Sequence, residues 1–156
     1  MPVLIVVEDD GWRRVQALDA LAERAVGAAL AHADHSADKL EVSLLFTGDD
    51  EAARLNREWR NKSYVPNVLS FPAAPSAASP EGGAKPFGDV ILAAGVVRRE
   101  AAEQGKTFDA HTAHLVVHGT LHLLGYDHMN QSDASAMEAA ETAILRDLGY
   151  PDPYQQ

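Results

Sequence analysis

The chain has 156 residues, enough for one domain with a buried core, and its 46% hydrophobic and 23% charged content is that of a globular protein. It has no cysteine, which excludes disulfides, iron–sulfur clusters and thiolate metal sites and leaves His, Asp and Glu as ligands. A formal charge of −10 argues against a protein that coats nucleic acid but leaves room for a local basic groove.

Val3 to Val7 reads as a buried strand, too short to span a bilayer, and nothing at the amino terminus reads as a signal peptide; the lack of cysteine makes a reducing cytoplasm the simplest expected location. From Gly11 to His32 the spacing of Val15, Leu18, Ala22, Ala25 and Ala29 predicts a helix. Leu40, Val42, Leu44 and Phe46 alternate as a strand with one face on the core. Asp49 or Asp50 is the expected cap of a helix with Ala52, Leu55, Asn56 and Trp59 on one face, which makes Trp59 a core residue.

"NVLSF" (67–71) and "GDVILA" (88–93) predict two more strands. Between them "PAAPSAASPEGGAKP" (72–86) is too poor in apolar side chains to pack, and reads as a mobile surface loop inside one domain covering residues 1–156. Helices are expected at 95–104 and 109–124. A last one starts near Ser132, carries Met137, Ala140, Ile144 and Leu148, and ends at Gly149 and Pro151. The expected fold is α+β, with about four strands in one mixed sheet packed with helices and a histidine-bearing helix late in the chain.

That helix contains "HLVVHGTLHLLGYDH" (114–128), with four of the seven histidines. His111, His114, His118 and His122 share one helical face. They cannot all hold one ion, because His114 and His122 lie about 12 Å apart along the axis at about 1.5 Å per residue. Only an adjacent i,i+4 pair can chelate. Gly125 selects 118 and 122: a glycine after the helix takes positive φ and turns the chain, returning His128 towards His122. His118, His122 and His128 would leave a fourth position open on one Zn2+ per chain, as in catalytic zinc sites. His111 and His114 are assigned no ligand role, although His114 can still line the cleft. The spacing is that of the metzincin protease helix, except that Gly119 replaces the glutamate that serves those enzymes as general base.

"HGTLHLLGYDH" (118–128) resembles the signature of the YbeY family, rRNA maturation factors and single-strand-specific endoribonucleases. "LNREWR" (55–60), "NVLSFP" (67–72), "GDVIL" (88–92), "EAAEQGK" (100–106), "AHTAHLVV" (110–117) and "LGYPDPY" (148–154) are similar to its other blocks, in the same order. "YVPN" (64–67) departs from the family pattern, with Pro66 where a Thr is usual. The resemblance implies a zinc-dependent endoribonuclease of the bacterial cytoplasm acting in small-subunit rRNA 3′-end maturation and ribosome quality control. Its partners would be single-stranded RNA, small-subunit rRNA, and the ribosome or its assembly proteins, with no membrane. The family's metal ligands map onto His118, His122 and His128, and its functionally important arginine maps onto Arg60.

The chemistry suits those residues. Zinc polarises a phosphoryl oxygen and lowers the pKa of bound water to about 7, and a guanidinium such as Arg60 can grip two phosphate oxygens. Arg54, Arg57 and Arg60, followed by Lys62, make a basic strip, although Arg54 and Arg57 taken alone better suit a plain solvated face. Asp127 is a candidate general base or imidazole-orienting group, or else a turn residue bonded to backbone amides. Two other functions keep the metal: a zinc hydrolase of peptides or small substrates, and a ribosome-assembly binding factor with structural zinc. Oligomeric state is not legible.

Overall fold

A computed structural model describes residues 3–34, 40–73, 85–126 and 130–154. Four strands, β1 (Val3–Val7), β2 (Leu40–Thr47), β3 (Val68–Pro72) and β4 (Lys85–Ala93), form one sheet in the order β1-β2-β4-β3. β1–β2 and β2–β4 are parallel and β3–β4 is antiparallel, so the sheet is mixed and the α+β expectation holds. The helices are α1 (Leu18–His32), α2 (Asp49–Arg60), α3 (Ala94–Glu103), α4 (Phe108–Leu123) and α5 (Gln131–Leu148). α1 supplies the crossover that parallel pairing of β1 with β2 demands.

The alternation in β2 does what its period predicts, with Val42, Leu44 and Phe46 buried in the core. α4 is the hub. It packs against α1, α3, α5, β3 and β4, and is buried on nearly every side from His111 to Leu123. Its apolar character all round, broken only by small and polar-paired residues, is the pattern of an interior helix. Among the described residues no helix is long and apolar enough to cross a membrane.

Several expectations are corrected. The 11–32 stretch is divided: a 3-10 turn at Asp10–Arg14, capped by Asp9, is separated from α1 by Ala17, whose left-handed φ of 49° no helix continues through. The buried Trp12 holds that first turn in place, stacking on Phe108 and meeting Phe46 edge-on, with its indole N–H donating to the Thr47 carbonyl (2.8 Å). β1 is an edge strand, and Leu4, Val6 and Val7 are exposed where a buried strand was expected. Asp49 does not cap α2; Gly48 occupies that position, and the Asp49 carboxylate accepts from the Val96 N–H and from Arg99. Trp59 is 70% exposed and not core.

The expected loop is also shorter at both ends. Pro72 belongs to β3, and Lys85 and Pro86 pair with Leu40 and Glu41 of β2. Residues 74–84 of that expected loop lie outside the described residues.

Candidate active site

α4 begins at Thr107, whose hydroxyl accepts from the Ala110 N–H (3.0 Å). It ends as the glycine predicted. Gly125 has φ +98°, its N–H bonds to the His122 carbonyl, and the Tyr126 N–H bonds to the Leu121 carbonyl. That paired closure is a Schellman motif, and it turns the chain sharply back immediately after His122.

His118 and His122 lie one turn apart with ring centroids 4.7 Å apart and planes at 79°. They are the adjacent i,i+4 pair that can share an ion. His118 Nδ1 bonds to Glu141 Oε2 at 2.9 Å, so Nε2 is the nitrogen this ring presents to a metal. Among the described residues no three His, Asp or Glu side chains close on one point as a metal-binding group. His128 and Asp127 lie outside the described residues.

Glu141, on α5, is fully buried, and three groups meet its two oxygens. Oε2 takes His118; Oε1 takes His114 Nε2 and the Tyr154 hydroxyl, the latter at 2.6 Å. Burial pushes this carboxyl up, yet the bonds from His114 and His118 outweigh it and hold its pKa at about 2. Burial, with the carboxylate beside it, pushes the Tyr154 phenol well up, so it stays a donor. His111 pairs instead with Glu100 of α3 (2.9 Å), which also accepts from Asn67 Nδ2. Burial depresses the His111 pKa, against the pull of Glu100, and favours a neutral ring. His111 and His114 thus each have one nitrogen on a carboxylate, while the Nδ1 atoms of both are buried without a partner among the described residues.

Gly119 has a second meaning besides a missing protease base. A Cβ there would lie 2.6 Å from Val90 Cγ1 and 3.1 Å from Ser70 Oγ. α4 crosses the sheet at this glycine, and the Ser70 hydroxyl donates to the Gly119 carbonyl (3.0 Å). No glutamate fits.

The fold brings Arg60 to the histidines. At the end of α2, its guanidinium donates to the Ser70 carbonyl (2.6 Å) and lies 5.3 Å from the centroid of the Phe71 ring. Arg60, His118 and His122 line one cleft of about 770 Å3, together with Tyr64, Pro66 and Tyr126. Arg54, by contrast, is committed to Glu51 and Glu58 and adds nothing to a basic strip.

The sequence assigned no role to Glu141, Glu100 or Tyr154, although the last two fall within blocks of the family resemblance. Glu141 did leave a signal: it falls four residues after Met137 on the face that α5 buries, a place where an unpaired charge is costly. For Glu100 and Tyr154 nothing in the local pattern revealed their partners, His111 and Glu141.

These features define an α+β protein whose central helix presents His118 and His122, the former held from behind by the buried Glu141 carboxylate, to a cleft with an arginine in its wall. The family model described as Endoribonuclease YbeY matches residues 7–149. The endoribonuclease YbeY of Azorhizobium caulinodans is 48% identical over 157 residues, covering 99% of this chain and 96% of that one. That of Rhodopseudomonas palustris is 44% identical over 150 residues, covering 96% and 79%. The solution structure of TM1509 from Thermotoga maritima matches 99% of both chains with a TM-score of 0.58 at 21% identity, a likeness of fold. The chain belongs to the YbeY endoribonuclease family.

Proposed function

We propose that this protein is a zinc-dependent, single-strand-specific endoribonuclease of the cytoplasm, acting in small-subunit rRNA 3′-end maturation and ribosome quality control. It would hold one Zn2+ per chain on His118, His122 and His128. Relatives named for endoribonuclease activity support the reaction class. The observation that carries the reading is the shared cleft, in which Arg60 stands with His118 and His122.

The residues divide the work. The Nδ1–H of His118 donates to Glu141, which fixes its tautomer and turns Nε2 outward, while His122 adds a second imidazole from the next turn. Zinc, when bound, supplies Lewis acidity at a phosphoryl oxygen and acidifies water. Arg60 spends one of its five donors on the Ser70 carbonyl, which aims the guanidinium while other N–H groups can meet the phosphate. Asp127, next to the third ligand in sequence, is the candidate proton acceptor. Peptide hydrolysis is the poorer reading, because Gly119 supplies no base and its packing admits none.

The test pairs metal analysis with cleavage of unstructured RNA in chelator-treated and zinc-restored protein. Arg60→Glu should retain zinc and lose about 10²–10³ in rate, the usual effect of removing one transition-state contact. Arg60→Lys should recover only part, since an ammonium lacks the planar two-point grip. Undiminished cleavage by Arg60→Glu would remove Arg60 from the reaction. Cleavage that survives chelation would remove the zinc.

A further inference from the structure

Residues 57–65 form an unbroken exposed ridge running from the last turn of α2 towards β3. Large apolar side chains are concentrated there: Trp59 is 70% exposed, Tyr64 60%, and Val65 is exposed beside it. Cations alternate with them at Arg57, Arg60 and Lys62, and the one acid, Glu58, is paired with Arg54. In a chain of net charge −10, this is a local reversal of sign.

The ridge is held in shape. Asn61 takes a left-handed φ of 55° at the end of α2, and the Lys62 N–H bonds to the Asn56 carbonyl (3.2 Å). The Asn56 amide, fully buried, donates to the Tyr64 carbonyl (3.0 Å). The chain therefore folds back along α2, and its far end enters the site: Tyr64 and Val65 line the same cleft as Arg60, His118 and His122.

We infer that this ridge is the track on which single-stranded RNA approaches the cleft, with Tyr64 at the mouth and Trp59 outside it as stacking platforms for unpaired bases. The inference rests on the endoribonuclease reading and adds the residues that select single strands. Aromatic faces spaced between cations are the way sequence-tolerant single-strand binders hold RNA, because every unpaired base offers a π-face and every nucleotide a phosphate. A duplex hides its base faces and offers Trp59 and Tyr64 nothing to stack on. The occupant is RNA and not a protein surface because the ridge's own Arg60, flanked by Arg57 and Lys62 in sequence, lines the cleft beside Tyr64 and Val65, so one polyanion can follow the cations from the ridge to the histidines.

The experiment measures binding of a fluorescent, unstructured 12-nucleotide 2′-O-methyl RNA and of the matching duplex by anisotropy, with strand integrity checked on a gel. The proteins are wild type, Tyr64→Ala, Tyr64→Phe and Trp59→Ala, each compared by circular dichroism; both side chains are exposed, so folding should be unaffected. Each alanine variant should bind the single strand about 5- to 100-fold more weakly, the worth of one stacked base. Tyr64→Phe should bind as wild type does, and duplex binding should be weak in all four. Alanine variants that bind the single strand at full strength would overturn the track and leave the ridge to a protein partner or to water. Equal losses in Tyr64→Phe and Tyr64→Ala would overturn stacking in favour of a hydroxyl contact. A wild-type protein that does not bind single-stranded RNA at all would instead defeat the endoribonuclease reading beneath it.

Discussion

Glu141 lies with no exposed surface between three donors, His114, His118 and Tyr154. An ionised carboxylate in such a place costs several kcal/mol in desolvation, and only its hydrogen bonds repay that. Its contact with His118 Nδ1 has a consequence beyond packing, because a carboxylate behind an imidazole raises the basicity of the other nitrogen and fixes its direction. Glutamine preserves the shape but has a single acceptor oxygen and turns a donating amide towards groups that donate. On the zinc reading proposed above, Glu141→Gln should therefore lower zinc affinity by about 10- to 100-fold, read by competition with a chromophoric chelator, in protein shown to be folded by its thermal transition. Unchanged affinity would reduce Glu141 to a packing partner of α4 and α5.

The same economy governs the elements. α4 can be buried on nearly all sides because most of the polar groups it carries are matched: Thr112 and Thr120 donate back to the Phe108 and Val116 carbonyls, and His111, His114 and His118 each place one ring nitrogen on a carboxylate. Gly119 sets how closely it approaches the sheet. Gly119→Ala should gain about 1 kcal/mol of helix propensity, yet a Cβ at 2.6 Å from Val90 and 3.1 Å from Ser70 must push the helix away. Overpacking of this kind costs about 1–3 kcal/mol, and at so short a distance the clash wins. The urea midpoint should fall, and the Ser70–Gly119 bond that indirectly supports Arg60 should loosen with it. A midpoint that rises would mean that Val90 moves aside freely.

Across the whole molecule, the antiparallel pairing of β3 with β4, from Val68↔Leu92 to Pro72↔Gly88, extends through the bond from the Ala73 N–H to the Phe87 carbonyl. The intervening sequence, residues 74–84, contains no apolar side chain larger than alanine apart from Pro75 and Pro80. Replacing it with a short Gly/Ser linker should shift unfolding free energy by no more than about 0.6 kcal/mol, the cost of a twofold change in loop length. Calorimetry on the shortened chain checks this, and a loss of several kcal/mol would show that the segment packs.

What the sequence by itself determined is local. The strands and helices follow from periods of two and three to four; the pairing of His118 with His122 follows from one helical turn; and the Gly125 and Gly149 closures follow from the freedom of glycine at positive φ. Local spacing does not say which element lies at a sheet edge or which helix faces which. Val3 to Val7 has the apolar run of a central strand, and Trp59 sits on an apolar stripe, yet Leu4, Val6, Val7 and Trp59 are exposed, because burial depends on what else packs there. Arg60 faces the histidines because Ser70, ten residues on, anchors it and α4 lies against the same strand. Glu141 reaches His118 across 23 positions of sequence, and Tyr154 reaches Glu141 across 13. Only the packing of α2, α4 and α5 around the sheet creates those distances, since a charge and its partner far along the chain meet only after folding has paid the entropy of bringing them together.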